Sequence, residues 1–287
     1  QGTGVIIMIE LIQEFFSIPA FSRAAVALVA SGVAFPAIGT IILCLELIPA
    51  RFAVMHVALL GAALGMVINL DPTFSALLAA ALSGLLIARL GDRSGTSAGG
   101  PLGLVMILSL ALAFILFYKT DIQAIEAFNL FWGNVLALSQ IEIRLVLAAA
   151  FLFPLLIIAF YRPIMAVLFD KELAAASGYP AKIVYYALVM AVCIGIGIAM
   201  RLTGALMADA TSILPALAAR NMKANFRKTL IFGAIFGLIN NIGGFLLALM
   251  LDLPASPAII VVGASMVLAS TMWSKQQNKK VSATQGA

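Results

Sequence analysis

TLIFGAIFGLINNIGGFLLALM, the stretch from Thr229 to Met250, runs for 22 residues without a charged side chain. Coiled as a helix at about 1.5 Å per residue, it reaches roughly 33 Å and can cross the hydrocarbon core of a bilayer. Further runs of the same kind fall near 21–45, 52–69, 73–90, 102–118, 142–161, 183–200, 202–219 and 257–273. The sequence therefore predicts an all-α, polytopic helical membrane protein with eight to nine transmembrane helices. Only Arg201 separates the runs 183–200 and 202–219, so nine spans and eight spans with one broken helix read equally well.

Composition agrees. Of 287 residues, 63% are hydrophobic and 10% are charged, and the mean hydropathy is +1.14. Soluble domains carry about 25% charged residues, because a water-facing surface must be wetted. The net charge of +5 comes without any basic stripe interleaved with aromatics, which argues against nucleic acid as a partner. Cys44 and Cys193 lie in separate apolar runs with no CxxC, so they read as buried small hydrophobes and not as zinc ligands or a disulfide.

Three regions follow: a tail and interfacial helix over 1–20, a transmembrane domain over 21–273, and a cytoplasmic tail over 274–287. Met8 to Pro19 is too short to span and carries Glu10, Gln13 and Glu14 at helical spacing, the pattern of an amphipathic helix lying in the interface. The first apolar stretch lacks a basic start and an A-x-A end, so no cleavable leader is expected.

Lysine and arginine set the orientation. With the C-terminus cytoplasmic, thirteen of them, from Arg51, Arg89 and Arg93 to Lys275, Lys279 and Lys280, fall on the inner side. Four (Arg23, Lys119, Arg144 and Arg201) fall outside, where Asp71, Asp121, Glu126 and Asp252 collect. Gly91 to Pro101 is glycine-rich and reads as a flexible inner connection. It lacks the GxxxxGK[ST] of a phosphate-binding loop, so any ATP is expected on a partner chain. Gly61-x-x-x-Gly65 and Gly233-x-x-x-Gly237 mark faces where helices can approach closely.

Ionisable groups inside spans are costly and therefore informative. Asp209 stands near the middle of the run 202–219, followed by Thr211, Ser212 and Pro215. Pro215 cannot donate to the carbonyl of Thr211, so a kink is expected there. Asp209 reads either as part of a permeation route or as a structural partner of Asn240 or Asn241. Those two asparagines are themselves read as interhelical hydrogen-bonding groups that also suit a hydrated cavity. His56, the sole histidine, sits about one turn inside its span, and neutral imidazole is a common ligand for borderline metals. Glu46 is expected to form an interfacial ion pair with Arg51.

Three stretches together resemble the zinc/manganese-type permeases of metal-ion ABC importers. HVALLGAALG, His56 to Gly65, is similar to that family's second-span segment. FDKELAAASG, Phe169 to Gly178, is similar to its cytoplasmic D-x-x-x-A-x-x-x-G loop. GALMADATSILPALAAR, Gly204 to Arg220, is similar to its G-x-L-L-x-x-x-L-L-x-x-P-A-x-x-A-R run. FWGNVL (Phe131 to Leu136) and DLP (Asp252 to Pro254) match in the same order. The chain departs from the family at Phe52, where an acid is common, at Leu45 and Glu46, where paired arginines are common, and at Asp209, where a small or hydroxylic residue is usual. Either a metal-handling carboxylate has moved from the second span to the seventh, or the substrate differs.

The resemblance implies a transport subunit, not an enzyme, that works by alternating access on zinc, manganese or iron. It implies cytoplasmic ATP-binding subunits, an extracytoplasmic metal-binding protein and a second permease copy as partners, in a bacterial cytoplasmic membrane. The divalent ion is then substrate, and no cofactor is expected on this chain. His56 and Asp209 become the metal candidates, with Thr211, Ser212, Asn240 and Asn241 as route-lining candidates. Arg220, Lys223, Arg227 and Lys228, within Ala216 to Lys228, become the ATPase-coupling segment. Alternatives are a permease for a chelate such as a siderophore or cobalamin, and a stand-alone proton-coupled cation transporter with Asp209 as proton carrier. A hydrolase would need a paired aspartate, a Ser/His pair or a metal motif, and none is present.

Overall fold

The structure, a computed structural model, describes residues 18–93, 99–119 and 135–285. The expected interfacial helix of Met8 to Pro19 falls almost wholly outside these residues, as do Asp121, Glu126 and the segment from Phe131 to Asn134. Within them the chain is helical: α1 (Pro19–Cys44), α2 (Ile48–Val67), α3 (Pro72–Arg93), α4 (Gly99–Lys119), a 3-10 turn (Val135–Ala137), α5 (Gln140–Ala159), α6 (Tyr161–Phe169), α7 (Lys171–Ala176), α8 (Ala181–Asn221), α9 (Phe226–Leu251) and α10 (Ala255–Gln285). Eight of these are long and apolar enough to cross a membrane.

Helix ends follow local chemistry. Proline stands in the first turn of α1 and of α2, where its missing N–H costs nothing. Asp71 accepts from the Phe74 N–H at 2.8 Å ahead of α3. Ser139 and Glu142 form a capping box on α5. Asn225 accepts from Lys228 N–H at the start of α9, and Asp252 ends that helix in the left-handed conformation. Asp71 and Asp252 thus serve the backbone as well as the charge pattern.

At the centre lies α1, packed on α5, α8 and α9, with Leu28, Phe35 and Ile42 fully buried. The small-residue faces act as expected. Gly61 and Gly65 lie against Ser75 and Ala79 of α3, and Gly237 meets the Gly32 carbonyl of α1. That carbonyl is the one whose helical partner Pro36 removes, so the two features sit at one contact. Cys193 is buried as expected; Cys44, at the end of α1, is exposed.

The decisive element is α8, a 41-residue helix with one non-helical residue inside it, Gly204 at φ 77°, ψ 167°. Ala199 and Ala208 border the same small cavity, as do Gly195 and Ser212. A straight helix would hold these pairs about 13 Å and about 25 Å apart along its axis. Neighbours give the same direction. The first leg runs antiparallel to α3, with Gly91 at Tyr185, Gly84 at Met190 and Cys193, and Gly197 at Ala80. The second leg runs parallel to α10: Met207 at Ser256, Leu214 at Gly263, Asn221 at Ser270 and Thr271. The chain therefore turns back at Gly204, and α8 is a hairpin of legs 181–203 and 205–221.

Among the described residues the spans are therefore eight helices plus a return leg. The reversal also corrects the kink expected at Pro215, which stays in helical conformation while the break falls at Gly204. Only glycine adopts that backbone region without strain, so it outcompetes the proline as the site of reversal. Helix alternation then puts the connections 45–47, 160–180 and 222–225 on one side, with the end of α3 and the start of α4. The connections 68–71 and 252–254 lie on the other, with the end of α4 and the start of α5.

Candidate functional site

The return leg carries Asp209 one and a half turns past the reversal. Its carboxylate forms an ion pair with Arg51, Oδ1 meeting Nη1, and the two side chains are 29% and 7% exposed. Arg51 stands in the first turn of α2 and extends inward, and its guanidinium also lies over the Phe52 ring, 4.4 Å from the centroid. Two expectations fall here. Arg51 is not an interfacial residue paired with Glu46, because it is buried and turned to Asp209. Asp209 is not held by Asn240 or Asn241, because those amides are engaged elsewhere.

Asn240 donates to the Ala210 carbonyl at 2.8 Å, fixing the return leg one residue after Asp209. Asn241 donates to the Leu28 carbonyl at 2.9 Å and to the Ser31 hydroxyl at 3.1 Å, tying α9 to α1. Both asparagines are fully buried. They tie α9 to α1 and to the leg that bears Asp209, the interhelical bonding expected of them. Thr211 and Ser212 donate their hydroxyls to the Ala208 carbonyl, at 3.2 and 2.6 Å, so both turn back onto their own leg. Ser212 alone of these four residues borders the cavity beside the ion pair, together with Phe35, Ile38, Arg51 and Met55.

His56 lies one residue past Met55 on α2 and is buried. Its Nδ1 is 2.6 Å from the Phe52 carbonyl. A carbonyl oxygen can only accept, so Nδ1 is the donor in this contact. Among the described residues no cluster of three His, Cys, Asp or Glu side chains gathers around His56 or Asp209.

Arg220, Lys223, Arg227 and Lys228 are all exposed at the connection from the return leg to α9. Arg227 lies over the Tyr161 ring at 4.7 Å, which joins this segment to α6. The hairpin thus links an exposed basic surface directly to Asp209.

Arg51 is the site residue that the sequence reading missed. The signal was Ile48-Pro49, a helix start that places Arg51 inside the first turn of α2 and so within reach of an acid in the core.

Residues 17–274 match the ABC 3 transport family. The chain belongs to that family. A manganese transport system membrane protein, MntC, of Halalkalibacterium halodurans is 24% identical over 225 residues, covering 78% of this chain and 77% of that protein. The high-affinity zinc uptake system membrane protein ZnuB of Buchnera aphidicola is 24% identical over 218 residues, covering 76% of this chain and 84% of that one. Among solved structures, PsaBC from Streptococcus pneumoniae in complex with Fab aligns with a TM-score of 0.81 at 23% identity, over 92% of this chain and 95% of that one. The member of the ABC 3 family described here is thus a multi-pass transport subunit of the same helical fold.

Proposed function

We propose that this chain is the membrane permease of a bacterial ATP-driven importer for divalent metal ions, with zinc and manganese as the first candidates. The observation that carries the reading is its match to the ABC 3 transport family over nearly its whole length, with relatives named for manganese and zinc transport. The site chemistry suits it. Asp209 is partly exposed at membrane depth, and such a group needs water, an ion or protein against it, not lipid. His56 places an imidazole, a common ligand type for borderline metals, on the neighbouring helix.

In this reading the basic side faces the cytoplasm, which puts the end of α10 inside and Asp71 and Asp252 outside. A cytoplasmic ATP-binding subunit docks on the segment from Ala216 to Lys228. A metal-binding protein delivers the ion to the opposite side, and a second permease copy completes the path. ATP-driven movement at the basic segment is passed along the return leg to Asp209, giving alternating access. The ion is substrate, bound in transit by His56 and Asp209 with Thr211, Ser212, Asn240 and Asn241 shaping the route. The test is uptake of manganese(II) and zinc(II) into liposomes holding the permease, its ATPase and its binding protein. ATP-dependent accumulation supports the reading, and ATP hydrolysis without accumulation of either metal refutes it.

A further inference from the structure

The Arg51–Asp209 pair has features that a purely structural bridge does not need. Arg51 is more than nine-tenths buried, yet its Nε has no hydrogen-bond partner among the described residues. A buried guanidinium is stabilised only when its donors are met, so this pair is an incompletely satisfied one. Its acid partner is the more exposed of the two, and its base borders the small cavity between α1, α2 and both legs of the hairpin. While paired with Asp209 the guanidinium also lies over the Phe52 ring, 4.4 Å from its centroid, a contact that does not depend on the carboxylate's charge. The acid, by contrast, sits on a leg fixed by Asn240 at the very next carbonyl. In this pair the cation is carried on the longer, more flexible side chain, and it borders a cavity.

We propose that Arg51 is a tethered competitor for the transported cation: it occupies the Asp209 carboxylate when no ion is there and yields it when a divalent ion arrives. The inference rests on the reading of the chain as a cation permease and adds how its site is held empty. With Arg51 in place the site carries no net charge, so a monovalent ion gains little by entering. A divalent ion brings enough charge to displace the guanidinium from the carboxylate toward the cavity it borders, with the Phe52 ring still against it. The cost is affinity. If the pair is closed nine-tenths of the time, the apparent dissociation constant for the ion is raised about tenfold over that of the open carboxylate.

The experiment measures equilibrium binding of manganese(II) and zinc(II) to the purified permease–ATPase complex in nanodiscs, counted per folded complex. Arg51→Gln is expected to tighten binding about tenfold, and Arg51→Lys, which keeps the charge but loses the planar stacking on Phe52, by a smaller factor. The neutral double variant Arg51→Gln/Asp209→Asn is expected to show no tightening, since the carboxylate that gains the ion is gone. A merely structural Arg51 would lower the yield of complex and leave affinity per folded complex unchanged. Unchanged affinity in Arg51→Gln overturns the proposal, and so does tightening that survives in the double variant. Should Arg51→Gln fail to assemble, Arg51→Lys decides alone, and wild-type affinity there overturns it. Uptake by the wild-type complex keeps the two readings apart: transport with unaltered affinities sinks this inference only, whereas no transport of either metal sinks both.

Discussion

Replacing Gly204 by alanine tests the hairpin at its one hinge residue. At φ 77° and ψ 167° the backbone occupies a region that residues with a Cβ enter at a cost of about 1–3 kcal/mol. The chain cannot relieve that cost by straightening. The return leg is tied by Asn240 at the Ala210 carbonyl, by Arg51 at Asp209, and by Asn221 at Ser270 and Thr271. Were α8 instead a continuous helix, the same substitution would stabilise it by roughly 0.5–1 kcal/mol, because glycine is a poor helix former. The two structures therefore predict opposite signs. Thermal unfolding of the purified chain in detergent reads the difference at roughly 2–4 °C per kcal/mol. Gly103→Ala, in α4 with open space around it, is the matched control and should hold or raise the Tm. If Gly204→Ala melts at or above the wild type, the reversal at Gly204 is wrong.

The remaining expectations concern charge. Cysteines placed at Arg93 and Lys223 should resist an impermeant thiol reagent on intact cells while cysteines at Asp71 and Asp252 react; strong labelling at 223 from outside would invert the orientation. Asp209→Asn should abolish metal uptake and destabilise the chain by about 1–3 kcal/mol, because it leaves the buried Arg51 without its counter-charge. Arg51→Gln/Asp209→Asn should recover the Tm but not the uptake, and a double variant that transports normally would remove Asp209 from the route. Arg227→Glu/Lys228→Glu should uncouple ATP hydrolysis from uptake, or detach the ATPase, without changing membrane insertion. Full coupled transport by the assembled variant would end the coupling role of that segment.

Much of the fold was written in the run lengths. Charge-free stretches such as Thr229 to Met250 must be helical, because a membrane offers the backbone no other partner. The glycine pairs likewise named their close contacts before their neighbours were known. The reversal of α8 was visible as an unusually short polar break at Arg201, but not its place. Proline punctuates a sequence more loudly than glycine does, and Pro215 drew the expected kink away from Gly204. The site was half legible: the cost of Asp209 is a local fact, whereas its partner lies 158 residues away on another helix. Partner choice depends on which faces meet, and the spacing of apolar residues does not record that for helices buried nearly all round. His56 stood out in the sequence as the sole histidine, but its burial and the Phe52 carbonyl that its Nδ1 meets became visible only with the helix built.

A segment that enters and leaves from the same face adds an even number of passes. The residues from 181 to 225 are therefore invisible to the parity that orients everything after them. Whatever the return leg does in evolution, whether it lengthens, shortens or reshapes its tip, α9 and α10 keep their direction and the chain ends on the same side. The stretch bearing Asp209 is thus free to vary under selection for its cargo without inverting the helices that follow it.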